Sequence, residues 1–443
     1  MLTPGSELVL VPEKAVAGGS MLARHDGRVV LVRGAIPGER ILARIERVAR
    51  DVVHGAVVDV IEPHSDRREP LVDPACGGNT FAHIAYKRQL TLKADIIADA
   101  FARIARVVLP NPIEVAPSPE RGYRMRARFH VRGQRVGFYR ESTHHLCDAA
   151  TSGQLQPSAI QTVHAIAGLL AGDESAEEVL AIELAENIAG DARAIHVELR
   201  DERTAERLAS SVETSALTGL SWSVPSDART RVVLGSPYVM DSLDIRPLGG
   251  SSPGEIGPPP QGFGEPGPIR IRRHVRAFFQ GNRYLLSELV QRVLALVADG
   301  PVIDLYAGVG LFAVSLASTR RDDVVAVEAD AVSALDLTAN AASCERPFLS
   351  HHVSVEEFLR RSREMQSHTV VLDPPRTGLS REAASGLRAC RPRRIVYVSC
   401  DVATLARDVQ GFVQAGYRLG DIHAFDLFPN TAHVETIAVL DRD

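Results

Sequence analysis

The most constraining feature of this sequence is the alternation of apolar β runs with helical stretches from about residue 268 onward. The apolar runs read PVIDLYAG, DVVAVEAD, HTVVLDPP, RIVYVSCD and ETIAVL. This alternation is typical of a parallel, doubly wound α/β sheet, because successive parallel strands need a crossover that is usually helical. Ligands of such sheets bind at the carboxyl ends of the strands, so we expect a ligand site there.

The 443-residue chain has room for two further regions ahead of this sheet. Residues 1–63 carry short alternating strands with Gly and Pro at the turns, which predicts a small, OB-like β-barrel. Residues 70–262 alternate helical and strand patterns and predict an α+β central domain. A Gly/Pro-rich run from Leu248 to Pro268 indicates a linker or a long loop. The α/β domain then occupies residues 263–443.

Positive charge is concentrated in one stretch, residues 121–140. The chain as a whole has a formal net charge of -5, so no global positive field attracts nucleic acid. Residues 121–140, however, contain seven arginines and no acid, with aromatic residues between them. This composition favours phosphate pairing combined with base stacking. We therefore predict an RNA contact with Arg124 and Arg126 among the ligands; the alternative is an exposed basic face without a ligand.

The sequence gives no sign of export or of a membrane. The first residues lack a basic segment and a long apolar core, and no apolar run approaches the length of a membrane span. We expect a cytoplasmic protein with no membrane contact. The five cysteines are irregularly spaced, so we expect reduced thiols rather than disulfides. No metal-ligand set is predicted.

Two motifs at the start of the α/β region indicate a nucleotide-like ligand. Residues 304–310, DLYAGVG, end a predicted strand and open a helix, so we expect Gly308 and Gly310 to let a ligand approach the backbone. Glu328 ends the next strand, where an acid accepts hydrogen bonds from ribose hydroxyls. NAD needs the same acid, but the first loop reads G-V-G rather than G-x-G-x-x-G. S-adenosylmethionine fits this pattern better.

Two further strand ends carry candidate reactive groups. Asp373 opens a rigid DPPR turn after the strand HTVVL, since proline fixes the backbone. Cys400 follows the strand RIVYVS, where side chains emerge at the ligand face, so a nucleophilic thiol is favoured over a buried core cysteine.

Taken together, these motifs resemble the RNA uracil-C5 methyltransferase family, on the segments GFYR, RAFFQGN, DLYAGVGLF, VEAD, DPPRTGLS, VYVSCDVATLARD and FPNTAHVETIAVL. The resemblance implies a Rossmann-like methyltransferase domain, an N-terminal TRAM domain and a central RNA-binding domain. It implies Cys400 as nucleophile and Glu435 as base, with Arg376 and Asp373 near the target base. The matching cofactor positions are Gln280, Tyr306, Glu328 and Asp373.

The implied chemistry explains these residue types. A thiolate at Cys400 adds to C6 of uracil, which makes C5 nucleophilic enough to accept a methyl group from S-adenosylmethionine. Glu435 then removes the C5 proton and Cys400 is eliminated. The target base has to leave its stack for these steps.

The sequence also departs from the family. Many members with a TRAM domain hold an iron–sulfur cluster with four cysteines, but the matching places here hold Pro70, Cys76, Asn79 and Ser152, and Cys147 lies five residues too early. One ligand of four cannot hold a cluster, so we expect none. Leu311 and Ser354 also replace polar residues that other members carry near the cofactor.

Several alternatives stay open. One is an RNA cytosine-C5 methyltransferase, but that family carries a second cysteine in its proline motif, and the motif DPPR here has none. Another is a base-amino methyltransferase, but that class carries an aromatic residue where Arg376 stands here. A catalytically idle RNA-binding protein of the same fold is a third possibility. Within the family, the combination of a barrel and a middle domain resembles the ribosomal RNA branch more, which implies ribosomal RNA, 23S in particular, rather than transfer RNA as substrate. We expect a monomer.

Overall fold

A computed structural model describes residues 2–133, 135–140, 143–170, 179–202, 217–245, 268–320, 322–362 and 365–442. The Gly/Pro-rich run predicted as a linker lies almost entirely outside these residues. None of the helices in the described ranges is long and apolar enough to cross a membrane.

The N-terminal strands form one six-stranded sheet in the order β1-β5-β6-β4-β3-β2. The alternating pattern of the sequence places apolar residues of all six strands, such as Leu10, Val30 and Ile41, in a common core. The strand bounds are β1 Glu7–Leu10, β2 Lys14–Ala15, β3 Met21–His25, β4 Arg28–Arg33, β5 Arg40–Val48 and β6 Val52–Glu62.

Helix α1, Tyr86–Ala100, connects this sheet to the C-terminal region, and a short π-helix, Phe101–Ala105, continues it. One side of α1 places Leu92 and Ile96 in the core of the N-terminal sheet. The other side places Ile97 in the core of the C-terminal sheet. The two cores are therefore joined through one amphipathic helix.

The middle of the chain forms a seven-stranded sheet in the order β10-β9-β8-β11-β12-β13-β14. Helix α2, Pro157–Leu170, packs its apolar face on this sheet. The arginine-rich stretch, residues 121–140, contains the antiparallel pair β8 and β9. The bounds are β8 Arg126–Arg132, β9 Arg135–Tyr139, β10 Leu146–Asp148, β11 Val179–Glu186, β12 Arg193–Leu199, β13 Gly219–Val224 and β14 Asp227–Gly235.

The C-terminal region contains an eight-stranded sheet in the order β19-β18-β17-β20-β21-β23-β22-β7. Strands β17 to β21 are mutually parallel, and the order reverses between β17 and β20, which confirms the doubly wound α/β class. A two-stranded ribbon, β15 with β16, precedes it. The strands are β7 Val115–Ala116, β15 Tyr238–Leu243, β16 Ile269–His274, β17 Val302–Leu305, β18 Val324–Glu328, β19 Leu349–His352, β20 Thr369–Leu372, β21 Arg394–Ser399, β22 Arg418–Phe425 and β23 Glu435–Asp441.

Helices cover both faces of this sheet, and several begin at a side-chain cap. Ser354, Ser380 and Asp401 each accept a hydrogen bond from a backbone N–H of the first helical turn. The helices are α3 Leu286–Leu296, α4 Leu311–Thr319, α5 Ala331–Ser343, α6 Val355–Arg361, α7 Arg381–Cys390 and α8 Val402–Gln414.

The last hairpin of this sheet differs from the sequence prediction. The run ETIAVL is strand β23, and it lies antiparallel to β21 rather than parallel. Its partner β22, RLGDIHAF, contains Arg418, Asp421 and His423 and lacks the apolar run by which the other strands were recognised. The antiparallel β23 begins where β21 ends, so its first residue lies beside the carboxyl ends of the parallel strands.

The expectation of five reduced thiols is wrong, because Cys76 and Cys147 form a disulfide with their Cα atoms 5.6 Å apart. Cys147 lies on β10, and the segment around Cys76 runs alongside β9, with the Gly77 N–H donating to the Tyr139 carbonyl. Asn79 ties the same segment to the carbonyl of Ser152. Spacing along the chain gave no indication of this cross-strand proximity.

Candidate active site

The predicted site residues meet at the carboxyl edge of the C-terminal sheet. Tyr306 follows β17, Glu328 ends β18, Asp373 follows β20 and Cys400 follows β21. Glu435 reaches the same edge as the first residue of the antiparallel β23. The strand order places the first three around the point where the topology reverses, as expected for ligand sites in such sheets.

The turn after β17 exposes backbone to the site. Gly308 has φ +57°, and a Cβ added there would meet only the Phe278 carbonyl oxygen, 4.0 Å away. Gly310 differs, because a Cβ there would lie 2.9 Å from the Leu337 side chain. Gly310 is therefore required for packing and Gly308 faces free space. The Gly308 N–H donates to Glu328 Oε2 at 2.7 Å, which ties the turn to the end of β18.

Asp304 is a buried carboxyl group directly beneath this turn, and the sequence analysis did not single it out as a site residue. Its Oδ2 accepts from the N–H of Ala313 in the first turn of α4 at 2.9 Å. Its Oδ1 is buried and has no partner among the described residues. Burial raises the pKa of Asp304 well above its usual value, and the nearby Asp373 and Glu328 raise it further.

Gln280 and Asp373 form a direct contact across the site. Gln280 Nε2 donates to Asp373 Oδ2 at 2.9 Å, and the Gln280 side chain is itself buried. Burial raises the pKa of Asp373 to about 7, and the hydrogen bond from Gln280 opposes this rise. The structure thus brings these two predicted cofactor residues together.

Cys400 and Glu435 lie opposite each other at the ends of two paired strands. Ser399 pairs with Thr436, and continuing this antiparallel register places Cys400 beside Glu435. Burial raises the pKa of the Cys400 thiol to about 12, and the charge of Glu435 adds to the rise. Arg376 lowers the same pKa through its charge and a hydrogen bond.

Glu435 is almost completely buried, and neither carboxylate oxygen has a partner within the described part of the chain. Burial raises its pKa well above the usual value, the neighbouring Asp373 raises it further, and Arg376 lowers it. A buried carboxyl group with unpaired oxygens next to a thiol is a strong candidate for proton transfer, because perturbed titration in a cleft accompanies acid–base function.

His433 is a second residue that the sequence analysis missed. Its ring contacts the backbone of Cys400, and burial lowers its pKa to about 4, so the ring is neutral at pH 7. The Phe428 ring lies edge-on to it at 6.1 Å. The sequence did contain an indication of this role, since His433 stands two residues before Glu435 on the segment that enters β23.

The predicted RNA-contacting arginines occupy different positions relative to this cluster. Arg376 is exposed beside Cys400. Arg124 lies close enough for the charge of Arg376 to lower its pKa, although burial has the larger effect. Arg126 contacts the Arg276 carbonyl at 3.4 Å and lies under the exposed ring of Phe278. The arginine-rich strand β8 is less free than its composition indicated, because acids of neighbouring strands pair with it.

Several carboxyl groups line the cleft. Asp304, Glu328 and Asp373 lie near the turn of Gly308, and Glu435 lies beyond them next to Asp373. Within the described ranges, no group of three or more His, Cys, Asp or Glu side chains is arranged to hold a metal ion. The open space over Gly308 and the acceptor oxygens of Glu328 and Asp373 suit a nucleotide-like ligand such as S-adenosylmethionine.

Comparison with known proteins agrees with this geometry. Residues 268–443 match the family described as tRNA (Uracil-5-)-methyltransferase. A 23S rRNA (uracil(1939)-C(5))-methyltransferase of Thiobacillus denitrificans is 30% identical over 449 residues, covering 96% of this chain and 97% of that protein. An uncharacterized RNA methyltransferase of Thermosynechococcus vestitus is 31% identical over 458 residues, covering 95% of both chains.

The whole fold also has a solved counterpart. The tRNA (uracil-54, C5)-methyltransferase of Pyrococcus abyssi, in complex with S-adenosyl-L-homocysteine, superposes with a TM-score of 0.73 at 22% identity. The match covers 97% of this chain and 99% of that one. The two chains therefore share one fold over nearly their whole length.

Proposed function

Because this chain belongs to the RNA uracil-C5 methyltransferase family, we propose that it transfers a methyl group from S-adenosylmethionine to C5 of a uridine in RNA. The observation that carries the proposal is the placement of Cys400 opposite the buried, unpaired carboxyl group of Glu435. The reaction needs a nucleophile and a base on the two sides of one pyrimidine ring, and these two groups meet at one edge of the sheet.

Five residues are proposed to hold the methyl donor. Glu328 would accept hydrogen bonds from the ribose and the Gly308 turn would admit the adenosine, while Asp304 supports that turn from below. When bound, S-adenosylmethionine supplies the methyl group on a positively charged sulfur. The proposed ligands are Gln280, Tyr306, Gly308, Glu328 and Asp373.

Cys400 is proposed to add to C6 of the target uridine. The thiol first gives its proton to solvent water, and the resulting thiolate adds to C6. As the S–C6 bond forms, the π electrons of the C5–C6 double bond move onto C5, and the ring becomes an enolate. The raised pKa of Cys400 means that the resting group is a neutral thiol. Arg376 favours the thiolate through its charge and hydrogen bond, so this arginine activates the nucleophile.

Glu435 is proposed to complete the reaction. After C5 has gained the methyl group, Glu435 takes the proton from C5, the C5–C6 double bond re-forms, and the S–C6 bond breaks to release Cys400. The raised pKa of Glu435 opposes its ionisation. The charge of Arg376 lowers this pKa and so favours the carboxylate, the form that accepts a proton. One exposed guanidinium thus favours the reactive form of both the nucleophile and the base.

For the RNA, we propose 23S ribosomal RNA, with transfer RNA as the alternative. Relatives that match over nearly their whole length include 23S rRNA enzymes of Thiobacillus denitrificans and Methylococcus capsulatus. Residues 1–63 would act as a TRAM domain and residues 70–262 as the RNA-binding central domain, with Arg124, Arg126 and Arg376 contacting the substrate. Residues 263–443 would form the methyltransferase domain of a cytoplasmic monomer without an iron–sulfur cluster.

Nucleoside mass spectrometry of RNA from cells with and without the gene tests this proposal. We expect 5-methyluridine to disappear from the ribosomal fraction and to return with the wild-type gene but not with Cys400→Ala. Loss from the transfer RNA fraction alone would replace the substrate by transfer RNA. An unchanged 5-methyluridine content in both fractions would favour an idle RNA-binding protein.

A further inference from the structure

Glu435 enters the site from a loop, residues 426–434, that joins β22 to β23. We propose that Gln89 and Lys93 of helix α1 are positioning residues for the base, because they fix this loop. The N-terminal part of the chain would then belong to the catalytic apparatus as well as to RNA binding. This inference rests on the proposed function, in which Glu435 removes the C5 proton.

Gln89 holds the middle of the loop through two reciprocal hydrogen bonds. Its Nε2 donates to Asn430 Oδ1 at 3.0 Å, and its Oε1 accepts from the Asn430 N–H at 3.0 Å. Both residues are buried, so little water competes for these bonds. Asn430 also has φ +64°, a left-handed conformation that asparagine tolerates better than most residues. The side-chain bonds thus fix a backbone turn that a free loop would rarely adopt.

Two further groups of the N-terminal part bind the same turn. The Phe81 N–H donates to the Asn430 carbonyl at 2.7 Å, and Arg68 donates to Asn430 Oδ1 at 3.1 Å. Ala432 touches the N-terminal sheet region, since a Cβ added at Gly19 would lie 3.1 Å from its Cβ. The turn is therefore surrounded by groups that lie more than three hundred residues away along the chain.

Lys93 holds the beginning of the loop. Its ammonium group forms a salt bridge with Asp426, and both side chains are fully buried. The same ammonium group donates to the Phe428 carbonyl at 3.0 Å, and the Tyr86 hydroxyl donates to Asp426 Oδ2 at 2.9 Å. Removing one partner of a buried pair leaves an uncompensated charge, so this anchor tolerates little change.

The anchored loop leads directly to the reactive groups. Asp426 follows Phe425, whose Cα is the register partner of Glu435 in β22 and β23. The loop also carries His433, whose ring contacts the backbone of Cys400. A displacement of about 1 Å at a reacting group can lower a rate about a hundredfold, so fixing the beginning and the middle of the loop has catalytic consequences.

The test is steady-state kinetics combined with gel quantification of the covalent RNA adduct, using full-length Gln89→Leu. A displaced base slows proton removal after methyl transfer. We therefore expect turnover to fall at least about tenfold with KM for RNA within about twofold. The fraction of active enzyme held as a denaturant-resistant, methylated adduct should rise. A merely structural role would lower turnover and adduct together and leave that fraction unchanged.

Two variants control for folding. Leu92→Ala creates a cavity on the same helix, facing the core of the N-terminal sheet, and should not change the adduct fraction. Asn430→Gly removes the Oδ1 acceptor of Gln89 Nε2 and of Arg68 from the loop side. It keeps the backbone N–H that donates to Gln89 Oε1 and keeps the positive φ accessible. If Gln89→Leu fails to fold, Asn430→Gly carries the test, and an unchanged adduct fraction in it would overturn the inference.

Glu435→Gln separates the inference from the proposed function. One outcome is that, of the three variants, Glu435→Gln alone accumulates the adduct, while Gln89→Leu and Asn430→Gly leave the adduct fraction unchanged. In that case only the positioning role is wrong. If Glu435→Gln turns over at the wild-type rate, the assignment of the base is wrong and the positioning role fails with it.

Discussion

Two parts of the active-site cleft are built in different ways. The glycine edge, formed by Asp304, Gly308 and Glu328, is held by hydrogen bonds between residues 9 and 20 positions apart in the chain. The thiol edge, formed by Cys400 and Glu435, depends on a loop held by residues 333 and 341 positions away. The first edge is therefore contained in short motifs, whereas the second combines the pairing of β21 with β23 and contacts from distant regions of the chain.

This difference predicts that variants at the thiol edge change the chemical step and that variants at the glycine edge change donor binding. The largest effect is expected for Cys400→Ala, because no other described side chain occupies the nucleophile position. Turnover should fall on the order of 10⁴-fold or more, and no covalent RNA adduct should form. Methyl transfer from labelled S-adenosylmethionine into RNA measures the rate. Cys344→Ser, at a free cysteine outside the cluster, is the matched control.

Glu328→Ala tests the glycine edge. The variant removes the acceptor for the N–H groups of Gly308, Ala329 and Asp330, and with it the proposed ribose contact. Lost hydrogen bonds to a charged group should raise KM for S-adenosylmethionine about 10- to 100-fold, with kcat within about threefold. A fall in kcat at unchanged KM would show that the two edges do not divide the work in this way.

Arg376→Gln tests the electrostatic part of the thiol edge. Arg376 lowers the pKa of both Cys400 and Glu435, so its removal raises both values. Less thiolate and less carboxylate are then present at any pH below these pKa values, and the rising limb of kcat/KM against pH should move to higher pH. At neutral pH the loss should be on the order of tenfold for each unit by which the thiol pKa rises. Arg376→Lys keeps a charge and should retain more of the rate, whereas an unshifted limb would contradict the activating role.

The difference between the glycine edge and the thiol edge also explains how much of the site could be predicted from the sequence. Gly308, Glu328, Asp373 and Cys400 stand at strand ends that apolar runs mark in the sequence, and the fold class and their common edge followed from that pattern. Glu435 was assigned through the family resemblance alone. Nothing local to it indicates that β23 runs antiparallel beside β21, because the polar strand β22 hides the hairpin.

Other features depended on contacts that a linear sequence does not display. The arginines of β8 appeared unopposed within residues 121–140. Arg128, however, pairs with Glu183 on the adjacent strand β11 at 2.8 Å and with Glu198 on the next strand, β12, at 2.5 Å. Charge counted along one stretch overestimates the free charge whenever the next strands carry acids. The pairs Gln89–Asn430 and Lys93–Asp426 could not be predicted either, because their members lie 341 and 333 residues apart in the chain.

The smallest effect on turnover is expected at the disulfide between Cys76 and Cys147. The thiol edge is anchored through α1 and the turn at Asn430, whereas this bond joins the segment before α1 to β10. The double variant Cys76→Ser/Cys147→Ser should therefore keep turnover within about twofold of wild type. Its free energy of unfolding should fall by about 2–4 kcal/mol, because the bond closes a long loop in the unfolded chain.

Denaturant unfolding measures this stability difference, and thiol titration of the denatured, unreduced wild type should find the three free cysteines Cys344, Cys390 and Cys400. A titre of five would show that the bond is absent from the purified protein. A large loss of turnover at unchanged stability would mean that the cross-link, like α1, helps to place the reactive groups. The contrast between a local and a distant edge would then extend to a third region, because Gln154 connects Gly77, next to the disulfide, with Arg124 near Arg376.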